Sequence, residues 1–295
     1  MNYSASIQAA IDFIESRLFE DIAPSAVAAQ IGFSEYHFHR IFRGMLRESV
    51  ADYIRKRRIS EAAKLLQESD KPILELALAS GFETHESFTR AFKKMYGLTP
   101  SQYRQQKHGL STYHKKRTSR TMLEHIQTGI TLEPRIETRG PELVVGLGAA
   151  YSEGAESSFL EIQQLWKSFL TRQAEIARVK PGYALGVCLS EHVDIPKRQD
   201  RSFAYIAGLP VSEFSDIPPG MVTCAIQKSK YAVFTHKGSL SALPHTVNYI
   251  WGTWIPKNVS NYSHANAPDF ELYDSRFDPE TDSGEFDIYV PILQP

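Results

Sequence analysis

Apolar residues recur at helical spacing through the first hundred positions of the chain. Phe38, Ile41, Phe42 and Met45 follow the i, i+3, i+4, i+7 pattern that places side chains on one face of a helix. The same pattern returns fifty positions further on, in Phe88–Met95. Because the residues between these positions are mostly polar, the pattern predicts amphipathic helices. We expect the whole front of the chain, residues 1–106, to be helical.

Each of these amphipathic helices follows a short apolar helix that a glycine ends. Gly32 and Gly81 supply the backbone freedom for a turn, and Ser34 and Thr84 are suited to cap the helix that begins after it. A helix, a turn with glycine and a second helix form a helix-turn-helix pattern, although one such pair is also common in helical cores. Two pairs joined by a rigid helix could enter successive major grooves, about 34 Å apart along DNA.

The rest of the chain has the alternating and continuous apolar runs of β-strands. Helices interrupt these strands at 156–178 and around 241–254. The order predicts two copies of β-α-β-β, an α+β fold with its helices on one face of an antiparallel sheet. Residues 107–120 have little apolar content and no periodicity, so we expect an exposed basic linker there. It would join an all-α domain at 1–106 to an α+β domain at 121–295.

The net charge of −1 conceals two parts of opposite sign. Residues 1–120 contain 19 Lys and Arg against 13 Asp and Glu, whereas residues 121–295 contain 14 against 21. The basic excess is greatest at 90–120, where nine Lys and Arg occur without an acidic residue. Such a run suits a polyanion, although a solvated charged face is the commoner reading of any single run. The front part therefore fits a nucleic-acid partner.

The remaining chemistry of the sequence is sparse. Cys188 and Cys224 match no metal-ligand spacing, and the back part has no nucleophile motif, phosphate loop or dinucleotide fingerprint. The sequence therefore predicts no metal, no cofactor and no catalytic residue. It has no signal-peptide pattern and no apolar stretch near the roughly 18 residues of a membrane span. We expect a cytoplasmic protein with no membrane partner.

Three stretches of the front part carry a family signature: "GFSEYHFHRIFR", "YIRKRRISEAAKLL" and "ILELALASGFETHESFTRAFKKMYGLTPSQYR". They resemble the DNA-binding domain of the AraC/XylS family of transcriptional regulators, in the Rob-like arrangement with this domain first. The resemblance implies two helix-turn-helix motifs and base contacts from Tyr36, His39, Arg40, His85, Glu86 and Arg90. We expect phosphate contacts from Arg43, Lys93 and Lys94. Arginine is the commonest reader of guanine, which supports Arg40 and Arg90 independently.

Some of these side chains also have plainer interpretations. Aromatic residues at helical spacing usually pack in cores, which is our interpretation of Phe38, Phe42, Phe88 and Phe92. Lys93 and Lys94 could serve only to keep the surface solvated. One of Arg55 and Arg57 is expected to pair with an acid inside the domain rather than to contact DNA.

The back part is rich in aromatic residues and acidic overall, which suits a lipophilic or cationic ligand. Through "KYAVFTHKG", "YIWGTWIP" and "PDFELYDSRF" with "EFDIYVPIL", it resembles the GyrI-like effector-binding domain. That resemblance implies a buried glutamate, Glu271, with Tyr231, Trp254 and Tyr273 as aromatic walls. Strand alternation alone leaves Glu271 on the face opposite Phe270, where it could simply point to solvent.

The sequence thus predicts a transcription regulator, an activator rather than an enzyme, that binds double-stranded DNA and contacts RNA polymerase. A small-molecule effector in the back part would modulate it. Two alternatives stay open for that part: a small-molecule hydrolase with Glu271 as general base, or a module that docks a protein partner.

Overall fold

The structure, a computed structural model, describes residues 3–105, 114–152, 156–189, 192–195, 202–258, 260–265 and 267–294. The chain divides into two units, which we call the helical unit and the sheet unit. The helical unit consists of Met1–Lys107, Ser111–Ile130 and Ser241–Asn261. The sheet unit contains Thr131–Leu240 and Tyr262–Pro295.

The front part of the helical unit is all helix, as the apolar spacing predicts. Its helices are α1 (Tyr3–Ser16), α2 (Pro24–Gln30), α3 (Glu35–Leu46), α4 (Val50–Glu68), α5 (Ile73–Ala79), α6 (His85–Tyr96) and α7 (Pro100–Gln105). The side chains of Ser34 and Thr84 cap α3 and α6 by accepting from the backbone N–H three residues on. Gly32 and Gly81, which end α2 and α5, have φ of +70° and +74°.

Two hydrophobic cores form around the two amphipathic helices. Phe38 and Phe42 of α3 pack with α1, α2 and the start of α4, while Phe88 and Phe92 of α6 pack with α5, α7 and the rest of α4. All four phenylalanine side chains are fully buried. The long helix α4 contributes to both cores and therefore fixes one helix pair relative to the other.

The predicted linker is the first point at which the structure differs from the sequence interpretation. Residues 107–113 lie outside the described residues. In 114–119, Lys115 and Thr118 are buried in the helical unit, whereas Lys116, Arg117 and Ser119 are exposed as predicted. The side chain of Lys115 is buried, and the Glu48 carboxylate lies 2.7 Å from its ammonium group and balances its charge. A buried lysine requires such a partner, since a lone charge in a core is costly.

The helical unit also includes segments that the sequence interpretation assigned to the back domain. These are α8 (Arg120–Thr128) and a helical segment formed by α10 (Leu243–Tyr249), a π-helical turn (Ile250–Trp254) and α11 (Ile255–Lys257). Leu123 of α8 belongs to the core around α3. We call Ser241–Asn261 the inserted segment, because it lies between strands of the sheet unit along the chain.

The inserted segment joins the helical unit through polar contacts as well as apolar packing. The Thr253 hydroxyl accepts from the Lys115 ammonium group at 3.0 Å, and the Asn248 side-chain carbonyl accepts from the Lys116 backbone N–H at 3.1 Å. Thr253 and Asn248 are each 2% exposed. These contacts explain why residues so distant in sequence share a unit.

The sheet unit is antiparallel. Its strands are β1 (Arg135–Arg139), β2 (Glu142–Ser152), β3 (Tyr183–Leu189), β4 (Ser202–Val211), β5 (Val222–Ile226), β6 (Ser229–Ser239), β7 (Ser263–His264), β8 (Asp269–Asp274), β9 (Phe277–Asp278) and β10 (Ser283–Leu293). Within the described residues the order is β1-β6-β10-β8-β3-β4-β2-β5, with β7 and β9 paired to β10. Helix α9 (Glu156–Arg172) packs on β2 and β4.

The two faces of the sheet differ in what covers them. Trp166 and Phe169 of α9 pack against Tyr205 on one face. The other face carries Phe270 and Tyr289, whose rings stack with centroids 4.4 Å apart. Helices in the described part of the chain are all too short or too polar to span a bilayer.

Candidate nucleic-acid interface and candidate ligand site

Helix α3 turns a polar face away from its buried phenylalanines. Tyr36 on this face is 76% exposed, and Arg40 and Arg43 are exposed as well. His39 is partly exposed and lies 3.7 Å from the carboxylate of Glu35. The structure therefore brings the residues predicted to contact DNA through α3 onto one accessible face.

Helix α6 presents the corresponding face. Glu86, Arg90, Lys93 and Lys94 are exposed, and His85 is partly buried. Glu86 lies in the first turn of the helix and the two lysines lie in its last turn. The predicted base-contacting residues thus cluster toward the N-terminal half of the helix, which is the end that reads bases in helix-turn-helix proteins.

Each of these helices borders a groove lined by basic side chains. The α3 groove, about 830 Å³, is lined in part by Arg40, Ile41, Gly44 and Arg47. The α6 groove, about 300 Å³, is lined in part by Arg55, Arg90, Ala91 and Lys94. Neither groove is enclosed, so both suit the surface of a polyanion better than a small buried ligand.

The arginine cluster of α4 divides between structure and surface. Arg57 is buried, and its guanidinium contacts the carboxylates of Glu15 at 2.8 Å and Glu61 at 2.7 Å. Arg58 donates to backbone carbonyls, including that of Gly81 at 2.9 Å. Arg55 is exposed beside Asp52 and borders the α6 groove. Of this cluster, Arg55 is the side chain placed to meet a ligand.

The sheet unit contains a carboxylate held by two tyrosines. Glu271 of β8 accepts hydrogen bonds from the hydroxyls of Tyr205 at 2.5 Å and Tyr273 at 3.1 Å. The indole N–H of Trp166 donates to the Tyr205 hydroxyl at 2.9 Å, and the Trp166 and Tyr273 rings are 5.2 Å apart. We call Glu271, Tyr205, Tyr273 and Trp166 the carboxylate cluster.

Burial raises the pKa of Glu271 to about 7, although both tyrosine hydrogen bonds act to lower it. Burial and the neighbouring carboxylate raise the pKa of both tyrosine hydroxyls well above their usual range, so they stay protonated and donate. A carboxylate of this kind is poorly solvated and surrounded by aromatic rings. It can gain a counter-charge from an aromatic or lipophilic cation.

Gly186 makes room for the carboxylate cluster. It pairs with Glu271 across β3 and β8, and a Cβ at this position would collide with the Tyr205 hydroxyl and with Oε2 of Glu271. A glycine within a strand often marks a close approach of this kind.

Gly186→Ala is expected to destabilise the protein by about 1–3 kcal/mol, because the added methyl must push the Tyr205 hydroxyl away from Glu271. Urea unfolding followed by circular dichroism measures the loss. Gly44→Ala is the matched control, since a Cβ there meets no atom within 4 Å. Equal stability of the Gly186 and Gly44 variants would contradict the close approach.

The structure does not bring all of the predicted aromatic walls to Glu271. Tyr231 is fully buried against Phe270 and Tyr289, with ring centroids 5.1 and 5.7 Å away. Phe270 precedes Glu271 on β8 and points to the opposite face of the sheet, so Tyr231 lies on that face too. Trp254 belongs to the helical unit. Glu271 and Tyr273 do lie together.

The sequence interpretation missed Tyr205, Trp166 and Gly186. Alternation predicts the face on which Glu271 lies, but not that α9 covers this face. Tyr205 reaches Glu271 only because β3 lies between β4 and β8. No group of His, Cys, Asp and Glu in the described residues could hold a metal ion.

Comparison with known proteins identifies a domain in each part of the chain. Residues 132–293 match the GyrI-like small molecule binding domain, and residues 27–106 match a helix-turn-helix domain. The transcriptional regulator Rob of Salmonella typhimurium is 26% identical over 306 residues, which cover 100% of this chain and 99% of Rob.

Two further relatives match the front part alone. The multiple antibiotic resistance protein MarA of Salmonella typhimurium is 37% identical over 109 residues, covering 37% of this chain and 86% of MarA. The uncharacterized HTH-type transcriptional regulator YbfP of Bacillus subtilis is 45% identical over 104 residues, covering 35% of each chain. The chain thus spans about a third of the length of YbfP.

These matches define a DNA-binding transcriptional regulator. More particularly, the chain belongs to the AraC-type regulators in which a GyrI-like small-molecule-binding domain follows the helix-turn-helix domain, the arrangement of Rob.

Proposed function

We propose that the chain reads two successive major grooves of double-stranded DNA, one with α3 and one with α6. The observation that carries the proposal is the repeat: both helices turn arginine and polar residues outward at equivalent positions, and both border a basic groove. The pairs α2–α3 and α5–α6 each act as a helix-turn-helix motif. Helix α4 has 19 residues and so is about 28 Å long, which suits a spacer between grooves about 34 Å apart.

Selection from a pool of random duplexes tests this function. The protein should enrich sites with two short conserved blocks, separated by about one helical turn of DNA and lying on one side of the duplex. Footprinting should show protection of both blocks by one copy of the chain. Enrichment of a single block, or of none, would contradict reading by two helices.

Arg40→Ala and Arg90→Ala are each expected to weaken binding to the selected site by about 1–3 kcal/mol and to relax its sequence at one block. Lys94→Ala should instead weaken binding to all sequences and reduce the salt dependence. Fluorescence anisotropy with matched and mutated duplexes separates the two effects. Lys64→Ala, which removes a charge paired with Glu61 on α4, is the control. Unaltered binding by both arginine variants would contradict the proposal that α3 and α6 lie in major grooves of the DNA.

We further propose that the carboxylate cluster binds a small lipophilic cation. The strand order supports this, because the sheet is nearly symmetrical about the β3–β8 pair where Glu271 lies. The two halves, β2-α9-β3-β4 and β6-inserted segment-β8-β10, would be copies of one β-α-β-β unit meeting at the ligand. In functional terms, residues 1–106 are the DNA-reading domain and residues 121–295 hold the effector site.

The polypeptide backbone connects strands of the sheet unit directly to the inserted segment of the helical unit. The inserted segment is bounded along the chain by β6 and β7 of the sheet unit, while its Thr253 contacts Lys115 in the helical unit. A shift of these strands would therefore move a segment packed near α4. We propose that the effector modulates DNA binding in this way, in a cytoplasmic activator that recruits RNA polymerase. Run-off transcription with and without the cation tests activation directly.

Recovery of the cation tests what the sheet unit does with it. A sensor returns the ligand unchanged, and mass spectrometry after long incubation should show this. Conversion of the ligand would indicate a hydrolase with Glu271 as general base. Failure to bind any lipophilic cation would leave docking of a protein partner as the function of the sheet unit.

A further inference from the structure

The α3 groove and the α6 groove are built from equivalent positions of the repeat. At a separation of fifty residues, Arg40 corresponds to Arg90, Ile41 to Ala91 and Gly44 to Lys94, and each of these residues lines its own groove. The second copy thus places two cations one helical turn apart, Arg90 and Lys94. The first copy has no side chain at the position of the second cation, because Gly44 stands there.

Arg47 supplies a second cation to the α3 groove from the next turn. It lines the same groove as Arg40 and is exposed. Arg40 and Gly44 are four positions apart and share one face of α3, and Arg47 is the residue that follows the last turn of this helix. Within the described part of the chain Arg47 forms no ion pair with an acidic side chain, so its charge is available to a ligand.

The backbone at Arg47 is unfavourable for an arginine. Arg47 ends α3 in the left-handed conformation, with φ 60° and ψ 17°, and its N–H donates to the Arg43 carbonyl at 2.9 Å. The equivalent residue after α6 is Gly97, with φ 74° and the same bond to the Lys93 carbonyl at 2.8 Å. Glycine adopts this conformation without the steric cost that a Cβ brings. Strain of this kind at one copy of a repeat points to a function of the side chain.

We propose that Arg47 contacts a phosphate of the DNA backbone and takes over, in the first copy, the role that Lys94 has in the second. The proposal rests on the DNA-reading function proposed for α3. A phosphate is the expected partner because Arg47 lies at the C-terminal end of α3, whereas bases are read by the N-terminal residues of such helices. Base contacts are thus expected at the N-terminal end of α3 and the phosphate contact at its C-terminal end.

Three substitutions distinguish the charge of Arg47 from its backbone. Arg47→Gly removes the charge and the strain, Arg47→Gln removes the charge alone, and Arg47→Lys keeps both. Binding is measured by anisotropy from about 50 to 200 mM salt, on random-sequence duplexes and on the selected site. The glycine and glutamine variants should reduce the slope of log K against log salt by about 0.9 on both probes, and the lysine variant should retain it. Only Arg47→Gly should raise the thermal midpoint.

Two results would overturn the proposal. A wild-type slope for Arg47→Gly would show that Arg47 meets no phosphate. A loss confined to the selected site would show a base contact instead. Arg40→Ala separates these failures from failure of the DNA-reading function: if it weakens binding while Arg47→Gly does not, the proposal for Arg47 alone fails. If neither affects binding, α3 does not read DNA.

Discussion

Glu48→Ala should lower the free energy of unfolding by about 3–5 kcal/mol, because it leaves the ammonium group of Lys115 buried without its counter-ion. The Lys115 side chain is 1% exposed and that of Glu48 2% exposed, and Glu48 also pairs with Lys56 at 3.0 Å. The Thr253 hydroxyl remains as a partner of Lys115, but a hydroxyl cannot neutralise a charge. Urea unfolding followed by circular dichroism at 222 nm would measure the loss on a mostly helical signal.

The pH dependence of this variant has a defined sign. Burial already lowers the pKa of Lys115, and Glu48 opposes that shift. Without Glu48 the pKa falls further, so over a range of alkaline pH the folded chain is deprotonated while the unfolded chain still binds the proton. Stability of the variant then rises with pH, and its deficit should be smaller at about pH 9 than at about pH 6.

Two controls make the Glu48 prediction specific. Glu75→Ala breaks an exposed pair with Lys71 and should cost no more than about 1 kcal/mol. The double substitution Glu48→Leu with Lys115→Met removes both charges and should recover much of the loss. If Glu48→Ala were no more damaging than Glu75→Ala, Lys115 would not be a buried charge.

The second large effect concerns the carboxylate cluster. Glu271→Gln should weaken binding of tetraphenylphosphonium by about 2–5 kcal/mol, because in the proposed site the carboxylate is the counter-charge of the cation. The amide keeps the shape of the side chain and can still accept from the Tyr205 hydroxyl. Quenching of tryptophan fluorescence gives the affinity, and calorimetry measures it independently. Triphenylphosphine oxide, a neutral aryl analogue, should bind both proteins equally.

The pH dependence of cation binding follows from the pKa of Glu271. Because that pKa is about 7, the carboxylate is increasingly protonated below neutral pH, and affinity should fall up to tenfold per pH unit between about pH 7 and pH 5. Tetraphenylphosphonium has no titrating group, so the change belongs to the protein. Glu271→Gln should abolish this dependence.

The raised pKa of Glu271 also makes the free energy of unfolding depend on pH. A carboxyl whose pKa is raised on folding binds a proton in the folded state that it has lost in the unfolded state, so stability falls as pH rises from about 4.5 to 7. Glu271→Gln should be most stabilised relative to wild type above about pH 7. Glu285→Gln, on the exposed pair with Lys237, is the control for both measurements. A pH-independent difference would mean that Glu271 is not perturbed.

Local patterns in the sequence were sufficient to predict the helix pairs. The spacing of Phe38 and Phe42, the turn at Gly32 and the cap at Ser34 act within a dozen residues, so neighbouring positions contain the information. The face on which Glu271 lies is local in the same sense, since strand alternation determines it. These parts of the fold are read directly from apolar periodicity and turn chemistry.

Contacts between residues distant in sequence could not be predicted, because local patterns contain no information about them. The burial of Lys115 depends on Glu48 and on Thr253, which is 138 positions away, so the basic composition around Lys115 suggested an exposed linker. Tyr205 meets Glu271 only through the order of the strands, which periodicity does not specify. The inserted segment was recognised as a helix, but nothing local indicates that it packs in the helical unit.

The inserted segment also determines when each unit can be finished during translation. The helical unit lacks Ser241–Asn261 until most of the sheet unit has been synthesised, and β10, which pairs with both β6 and β8, is made after that. The helical unit is therefore incomplete until Asn261 has been synthesised, and the sheet unit is incomplete until Leu293 has been. A ribosome that stalls between residues 130 and 261 carries a chain in which both units lack elements that cover their apolar surfaces, and chaperones and proteases act on such chains.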